Sequence, residues 1–219
     1  MPLPTVPYRL ERVEPQETVA RLEAELRVAQ QRRSVRMFSR EPVPRAAIER
    51  AIAIAGTAPS GAHRQPWFFV ALSDPEAKAQ LRAAAEAEEE RFYRERAPQD
   101  WLDALEPLGT DAVKAHLTDA PWVIVAFRRD VEVVGERRLN NYYVTESVGI
   151  AVGMLIAALH RAGLATLTHT PAPMAFLREL CGRPANEKPY VVLPVGYPAE
   201  DCAVPDLQRK PLDEIADFR

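Results

Sequence analysis

Two cysteines, Cys181 and Cys202, are all the thiol chemistry available to this 219-residue chain. They form no C-x-x-C pair and no zinc-ligand spacing, which excludes a disulfide scaffold and a structural zinc module and leaves no metal site to expect. A reduced, cytoplasmic setting fits that usage best. An excess of positive charge is also lacking: 28 Lys and Arg stand against 31 Asp and Glu, so a general affinity for nucleic acid is not expected. No run of 18 apolar residues occurs, and the opening "MPLPTVPYRLERVEP" has no apolar core followed by a cleavage site. Neither a membrane span nor an export signal is therefore expected. G-x-G-x-x-G and G-x-x-x-x-G-K-[ST] are both missing, as are internal repeats and low-complexity linkers.

What is present suits one large domain with a sizeable core, since 47% of the residues are hydrophobic. Residues 1–14 are Pro-rich and are expected to wrap a neighbouring surface or stay mobile. The stretch 15–33 predicts a first helix, with Val19, Leu22, Leu26 and Ala29 on one face. Residues 43–56 predict a second, with Pro44 in its first turn and Gly56 at its end. "TAPSGAHRQP" (57–66) reads as a loop, and "WFFVAL" (67–72) as a buried strand. A Glu- and Ala-rich helix is expected from Pro75 to about Arg96, and another from Thr110 to Leu117. "PWVIVAF" (121–127) predicts a second buried strand. The helix expected over Asn141–Ala162 carries Gly149 and Gly153, which suggests a close helix contact. "LATLTHT" (164–170), a short helix ending at Gly182, "PYVVLPVGYP" (189–198) and a polar tail complete the chain. Long helices among few strands, without βαβ alternation, argue for an α+β fold.

Two stretches invite a functional reading. "RRSVR" (32–36) offers guanidinium forks and a hydroxyl, chemistry suited to phosphate. It also suits a solvated helix end, where cations complement the dipole. The loop 57–66 is longer than a tight connection requires, so its backbone N–H groups could face an anion or a flat ring. An ordinary surface connection remains the alternative.

"RRSVRMFS" followed by "AGTAPSGAHRQPWFFV" resembles the start of the nitroreductase superfamily of FMN enzymes. "EAEEERFYRERA", "DAVKAHLTDAPWVIVAF", "NNYYVTESVGIAVGMLIAALHRAGLATLTHTP", "GRPANEK", "LPVGYP" and "VPDLQRKPLD" are similar to the iodotyrosine deiodinase family within it. The resemblance runs in order from about Arg32 to Ile215. It implies a nitroreductase-like α+β fold, a central mixed or antiparallel sheet flanked by helices, in an intertwined homodimer. Residues 1–31 would be an N-terminal extension and helix, and 32–219 one FMN-binding domain.

The resemblance also implies roles. Arg32, Arg33, Ser34, Val35 and Arg36 would hold the FMN phosphate and ring edge, with Arg209 reaching the phosphate from the tail. Pro59 and Ser60 would lie along the isoalloxazine, and Ala62 would offer its N–H to a substrate phenolate. Thr168, His169 and Thr170 would contact the flavin, with the Thr170 hydroxyl near N5 as the catalytic group favouring one-electron steps. The family commonly has threonine where this chain has His169, which reads as a loop or packing residue. Glu89, Tyr93 and Lys114 would clamp the ammonium and carboxylate of a halotyrosine.

The implied activity is reductive dehalogenation of 3-halotyrosines, iodotyrosine to tyrosine and iodide. Its electrons would come from an external donor, whether NAD(P)H, a reductase or a ferredoxin. Two other functions share the FMN elements: a nitroreductase or flavin reductase of broad specificity, and a flavin-binding protein without catalysis.

Overall fold

The computed structural model describes residues 3–219, so positions 1 and 2 of the Pro-rich opening lie outside the described residues. The chain divides after Arg32 into two compact units. The first holds irregular backbone over 3–14 and helix α1 (Pro15–Gln31). Pro15 sits in the first turn, where a missing N–H costs nothing, and no residue of the helix is buried.

The second unit is built on a four-stranded antiparallel sheet of β1 (Trp67–Leu72), β2 (Trp122–Arg129), β5 (Ala165–Thr166) and β6 (Glu187–Gly196), in the order β1-β2-β6-β5. Helices cover both faces. Strand β2 shows why "WVIVAF" is continuously apolar. Ile124 and Ala126 meet α2 (Arg45–Ala55) and α6 (Val144–Arg161) on one face, through Ile48, Ala51, Val148, Ala151 and Leu155. Val123, Val125 and Phe127 meet α3 (Pro75–Arg91) and α7 (Phe176–Leu180) on the other, through Leu81, Ala85 and Leu177. A strand buried on both sides has no polar face to alternate with. The edge strand β1 differs from its expectation: only Trp67 is buried and the rest is half-buried.

Helix α3 begins as its residues dictate. Asp74 caps it by accepting from the Ala77 N–H at 2.8 Å, and Pro75 follows in the first turn. It ends in a π-helical turn over Phe92–Arg96, and α4 (Gln99–Leu105) follows. One expectation needs correction here. Residues 110–115 are irregular, and the next helix, α5, is only His116–Asp119, so Lys114 does not lie on a helix. Side chains of α3 hold the end of α5 and the residue after it. Lys78 donates to the Ala120 and Thr118 carbonyls at 2.6 and 3.2 Å, and Arg82 donates to Thr118 Oγ1 at 2.9 Å. Burial holds the Lys78 ammonium below its ordinary pKa. A hairpin of β3 (Val131–Val134) and β4 (Arg137–Asn140), turning at Gly135 with φ 60°, also went unforeseen.

Helix α6 has the length and apolar composition to cross a bilayer, but it packs in the core against α2 and the sheet. Within this chain neither of its glycines meets another helix. A Cβ on Gly149 would approach the Tyr190 hydroxyl at 3.1 Å, and Gly153 faces open space. Ile150, Gly153 and Ala157 thus form an exposed stripe of small and apolar residues along one side of the helix.

Candidate active site

A cavity of about 400 Å³ lies where the end of α3, the π turn, α4 and the segment 110–116 meet residues 167–172. That size suits a small organic ligand. Its apolar lining includes Phe92, Trp101, Leu105 and Leu167. Phe92 stands edge-on to Tyr93 and Trp101, with centroids 5.8 and 6.4 Å apart. The π turn matters because widening the helix at its end redirects Phe92 and Tyr93 toward the cavity.

Four glutamates crowd the last turns of α3, and tertiary contacts separate their tasks. Glu86 accepts from Arg82 Nε and from the Lys114 backbone N–H, both at 2.7 Å, so it fixes the Lys114 main chain. Glu88 pairs with Arg91 and Arg96, and Glu90 with Arg94. Glu89 alone of the four lines the cavity. Its Oε2 lies 3.4 Å from Lys114 Nζ and its Oε1 lies 3.1 Å from His169 Nε2. Burial alone would raise the Glu89 carboxyl, but the hydrogen bond from His169 and the Lys114 charge outweigh it and hold it below the usual range. Lys114 also donates to the Asp111 carbonyl and sits 5.8 Å from the Tyr93 ring centroid. The Tyr93 hydroxyl is 3.2 Å from Thr110 Oγ1.

His169, expected at the flavin and as a loop or packing residue, is buried in the cavity wall, where its ring hydrogen-bonds Glu89. Its backbone is bridged to Val192 of β6 in both directions at 2.9 Å. The flanking Thr168 and Thr170 are exposed and line the same cavity. His116, which the sequence reading did not single out, packs edge-to-face on His169 with centroids 5.3 Å apart. Burial, then the neighbouring His169 ring and the charges of Lys114, Arg36 and Arg82, push its pKa down to about 3. A lone histidine in "KAHLTD" carries no local signal of this role.

The cavity therefore gathers Arg36, Glu89, Tyr93, Lys114, Thr168, His169 and Thr170. The other expected site residues lie outside its lining. Arg33 donates to the Pro205 carbonyl, which ties the first motif to the C-terminal segment. Ser34 is exposed and bridges Thr166, while Val35 is a core residue whose N–H donates to the Thr166 carbonyl at 3.0 Å. Val35 can meet a ligand only through its backbone. Arg209 is exposed in the tail, and Arg32 belongs to the first unit.

Pro59, Ser60 and Ala62 belong to a strained loop. Ala62, His63 and Gln65 all have positive φ, at 49°, 54° and 48°. Each such non-glycine residue costs on the order of 1 kcal/mol or more and persists only where its surroundings over-determine it. Here Ser60 Oγ accepts from the Gln65 N–H at 2.9 Å, and Arg64 donates to Asn141 at 2.9 Å. Gly61 is required, since a Cβ there would lie 2.8 Å from the Tyr142 carbonyl oxygen. The His63 and Arg64 N–H groups close the turn onto Ser60 and Gly61, and the exposed Ala62 N–H takes no part in it.

Residues 29–197 match the model of the nitroreductase family. An iodotyrosine deiodinase from Haliscomenobacter hydrossis is 50% identical, over 94% of this chain and 93% of that protein. The human iodotyrosine deiodinase 1 is 43% identical, over 96% of this chain and 73% of its own length. Among solved structures, oxidised iodotyrosine deiodinase bound to FMN and 3-iodo-L-tyrosine superposes with a TM-score of 0.75 at 29% identity, covering 89% of this chain and all of that one. An FMN-bound nitroreductase from Bacteroides fragilis, at 18% identity and a TM-score of 0.65 over 89% of this chain and 98% of its own, shares the fold.

Proposed function

The chain belongs to the nitroreductase family and, within it, to the iodotyrosine deiodinases, and from that premise we propose that it binds FMN and reductively removes iodide from 3-iodotyrosine. The observation that carries this reading is the pairing of Glu89 with Lys114 in the cavity wall, both nearly buried. An α-amino acid carries an ammonium and a carboxylate on one carbon. A ligand site that recognises both needs an anion and a cation side by side, out of water.

The residues present fit the cofactor. The Arg36 guanidinium and the exposed Thr168 and Thr170 hydroxyls line the cavity, and Arg33 and Ser34 adjoin Arg36 in the chain. These groups would hold FMN, with Arg32 and Arg209 at the phosphate, the Val35 backbone at the ring edge, Pro59 and Ser60 along the ring and Thr170 near N5. Bound and reduced, FMN supplies the two electrons that the reaction consumes. Those electrons and one proton convert the carbon–iodine bond to carbon–hydrogen, and iodide leaves with the former bonding pair.

The protein's own share is positioning. The Ala62 N–H, which takes no part in closing the turn, is suited to the phenolate oxygen. Glu89 takes the ammonium, Lys114 the carboxylate, and Tyr93 adds a hydrogen bond. Phe92, Trp101 and Leu105 exclude water above them. The loop 57–66 does not line the cavity of the same chain, which supports a homodimer in which a second copy completes the site. The uncovered stripe of Ile150, Gly153 and Ala157 on α6 is suited to that close contact. The electron donor is external to the chain, and two free cysteines agree with a reducing compartment.

Anaerobic turnover of FMN-loaded, dithionite-reduced protein with 3-iodotyrosine tests the reading. Iodide and tyrosine are expected in equal amounts. Flavin that stays reduced, with no iodide released, would overturn it.

A further inference from the structure

We propose that His169 is a positioning residue for amino-acid recognition: it anchors Glu89 so that Glu89 can exchange Lys114 for the substrate ammonium. This rests on the function proposed above and concerns how the same site selects its ligand.

The Glu89 carboxylate is divided between two partners. Oε1 accepts from His169 Nε2 at 3.1 Å, and Oε2 faces Lys114 Nζ at 3.4 Å. A zwitterion entering the cavity needs both charged groups, the carboxylate going to Lys114 and the ammonium to Glu89. Lys114 must then loosen its hold on Oε2. The pair at 3.4 Å is longer than a charge-assisted hydrogen bond at its best distance, so it is the weaker of the two contacts. Held only by Lys114, Glu89 would lose its partner as the ligand arrived and regain its rotamer freedom, a cost charged to binding.

His169 removes that cost. Its ring is mounted on the central sheet, because its backbone exchanges two 2.9 Å hydrogen bonds with Val192. The ring is buried and held edge-on by His116. A neutral imidazole donating Nε2–H leaves Nδ1 as a lone pair, and Nδ1 is buried with no partner, consistent with that tautomer. The charged and titratable groups facing this pair are Lys114 from the irregular segment, His116 from α5 and Arg36 from the first motif. Glu89 is the sole carboxylate in the cavity lining, so the ring has one anionic partner to orient.

The test uses FMN-loaded protein, with flavin-fluorescence quenching by 3-iodo-L-tyrosine and by 2-iodophenol, which lacks the head group. His169→Leu is expected to raise the Kd for iodotyrosine about tenfold, the worth of one hydrogen bond to a charged group, and to leave 2-iodophenol within twofold. Turnover should show the loss in KM with kcat little changed. His169→Gln, whose amide reaches where Nε2 does, should restore most of the affinity. In a Glu89→Gln background, His169→Leu should add no further loss. If leucine prevents FMN loading, His169→Thr replaces it under the same criteria. Unchanged iodotyrosine binding, equal weakening of both ligands, or no rescue by glutamine would overturn the role. Wild-type protein that fails to bind iodotyrosine would instead sink the proposed function, so the two failures are distinguishable.

Discussion

Glu89 and Lys114 hold a carboxylate and an ammonium 3.4 Å apart in the wall of the cavity, with side chains only 14% and 7% exposed. One comes from the end of a long helix and the other from a segment without regular structure. Removing two charges from water is costly, and their attraction offsets that cost only where geometry is good. A pair at this distance on a cavity wall is poised to trade partners with a ligand of complementary charge.

Neutralising the anion tests that exchange. Glu89→Gln should weaken iodotyrosine binding by roughly 10- to 100-fold, the range for a hydrogen bond to a charged group. FMN should remain bound and 2-iodophenol affinity unchanged. Fluorescence titration with both ligands measures this, and unaltered iodotyrosine affinity would remove Glu89 from the clamp.

The cation can be separated from the anion by ligand choice. Lys114→Gln should weaken 3-iodotyrosine but spare 3-iodotyramine, which keeps the ammonium and lacks the carboxylate. Glu89→Gln should weaken both. The reverse pattern would mean that the two roles are exchanged.

Thr170 is expected to act on the cofactor and not on the substrate. Thr170→Ala should leave iodotyrosine affinity near its wild-type value. During anaerobic reduction with a ligand bound, the one-electron-reduced fraction should fall. Spectra that match wild type throughout the titration would exclude a hydroxyl near N5.

Stability rests on a different ion group. Glu187, 1% exposed, accepts from Arg129 at 2.7 Å and from Arg183 at 2.6 and 2.9 Å. Both guanidinium groups lie over the Phe68 ring, at 5.0 and 3.7 Å. Burial would raise this carboxyl, but the two arginines outweigh it and hold it low. A depressed carboxyl contributes stability above its unfolded pKa and loses it as pH falls through the folded one. Glu187→Gln leaves two arginines without their anion, which costs about 3–5 kcal/mol. Denaturant unfolding at pH 7 should register that loss, and the gap between variant and wild type should narrow in acid.

His116 gives a second acid dependence at a milder pH. Its pKa falls from 6.5 to about 3 on folding, so the unfolded chain binds the extra proton first. Stability attributable to a neutral His116 is therefore full above pH 6.5 and declines as pH drops toward 3. His116→Gln should flatten the stability profile between pH 6.5 and 4.5, read as the difference from wild type in urea unfolding. Parallel profiles would show that the ring is not held neutral.

Much of the fold was legible because local pattern and tertiary environment agreed. "WVIVAF" is apolar on consecutive positions, which only a strand covered on both faces tolerates, and it is a central strand. The start of α3 at Pro75 was also legible. The hairpin β3–β4 was missed because "VEVVGERRLN" alternates weakly and carries many charges. The helix expected over 110–117 failed because the backbone N–H groups of Val113 and Lys114 are taken by the Asp111 and Glu86 carboxylates instead of by helical carbonyls.

By itself the sequence determined which elements could be buried, which family the chain resembles and which residue types were at hand for the chemistry. The resemblance singled out Glu89, but only the tertiary structure shows what separates it from Glu86, Glu88 and Glu90: of the four it alone lines the cavity. The tertiary structure alone set His169 against Glu89 and left loop 57–66 outside the cavity wall. Helical periodicity spaces four neighbouring carboxylates around an axis but says nothing of what packs on each side. The long-range contacts do, because a charge out of water must find its partner wherever the fold supplies one.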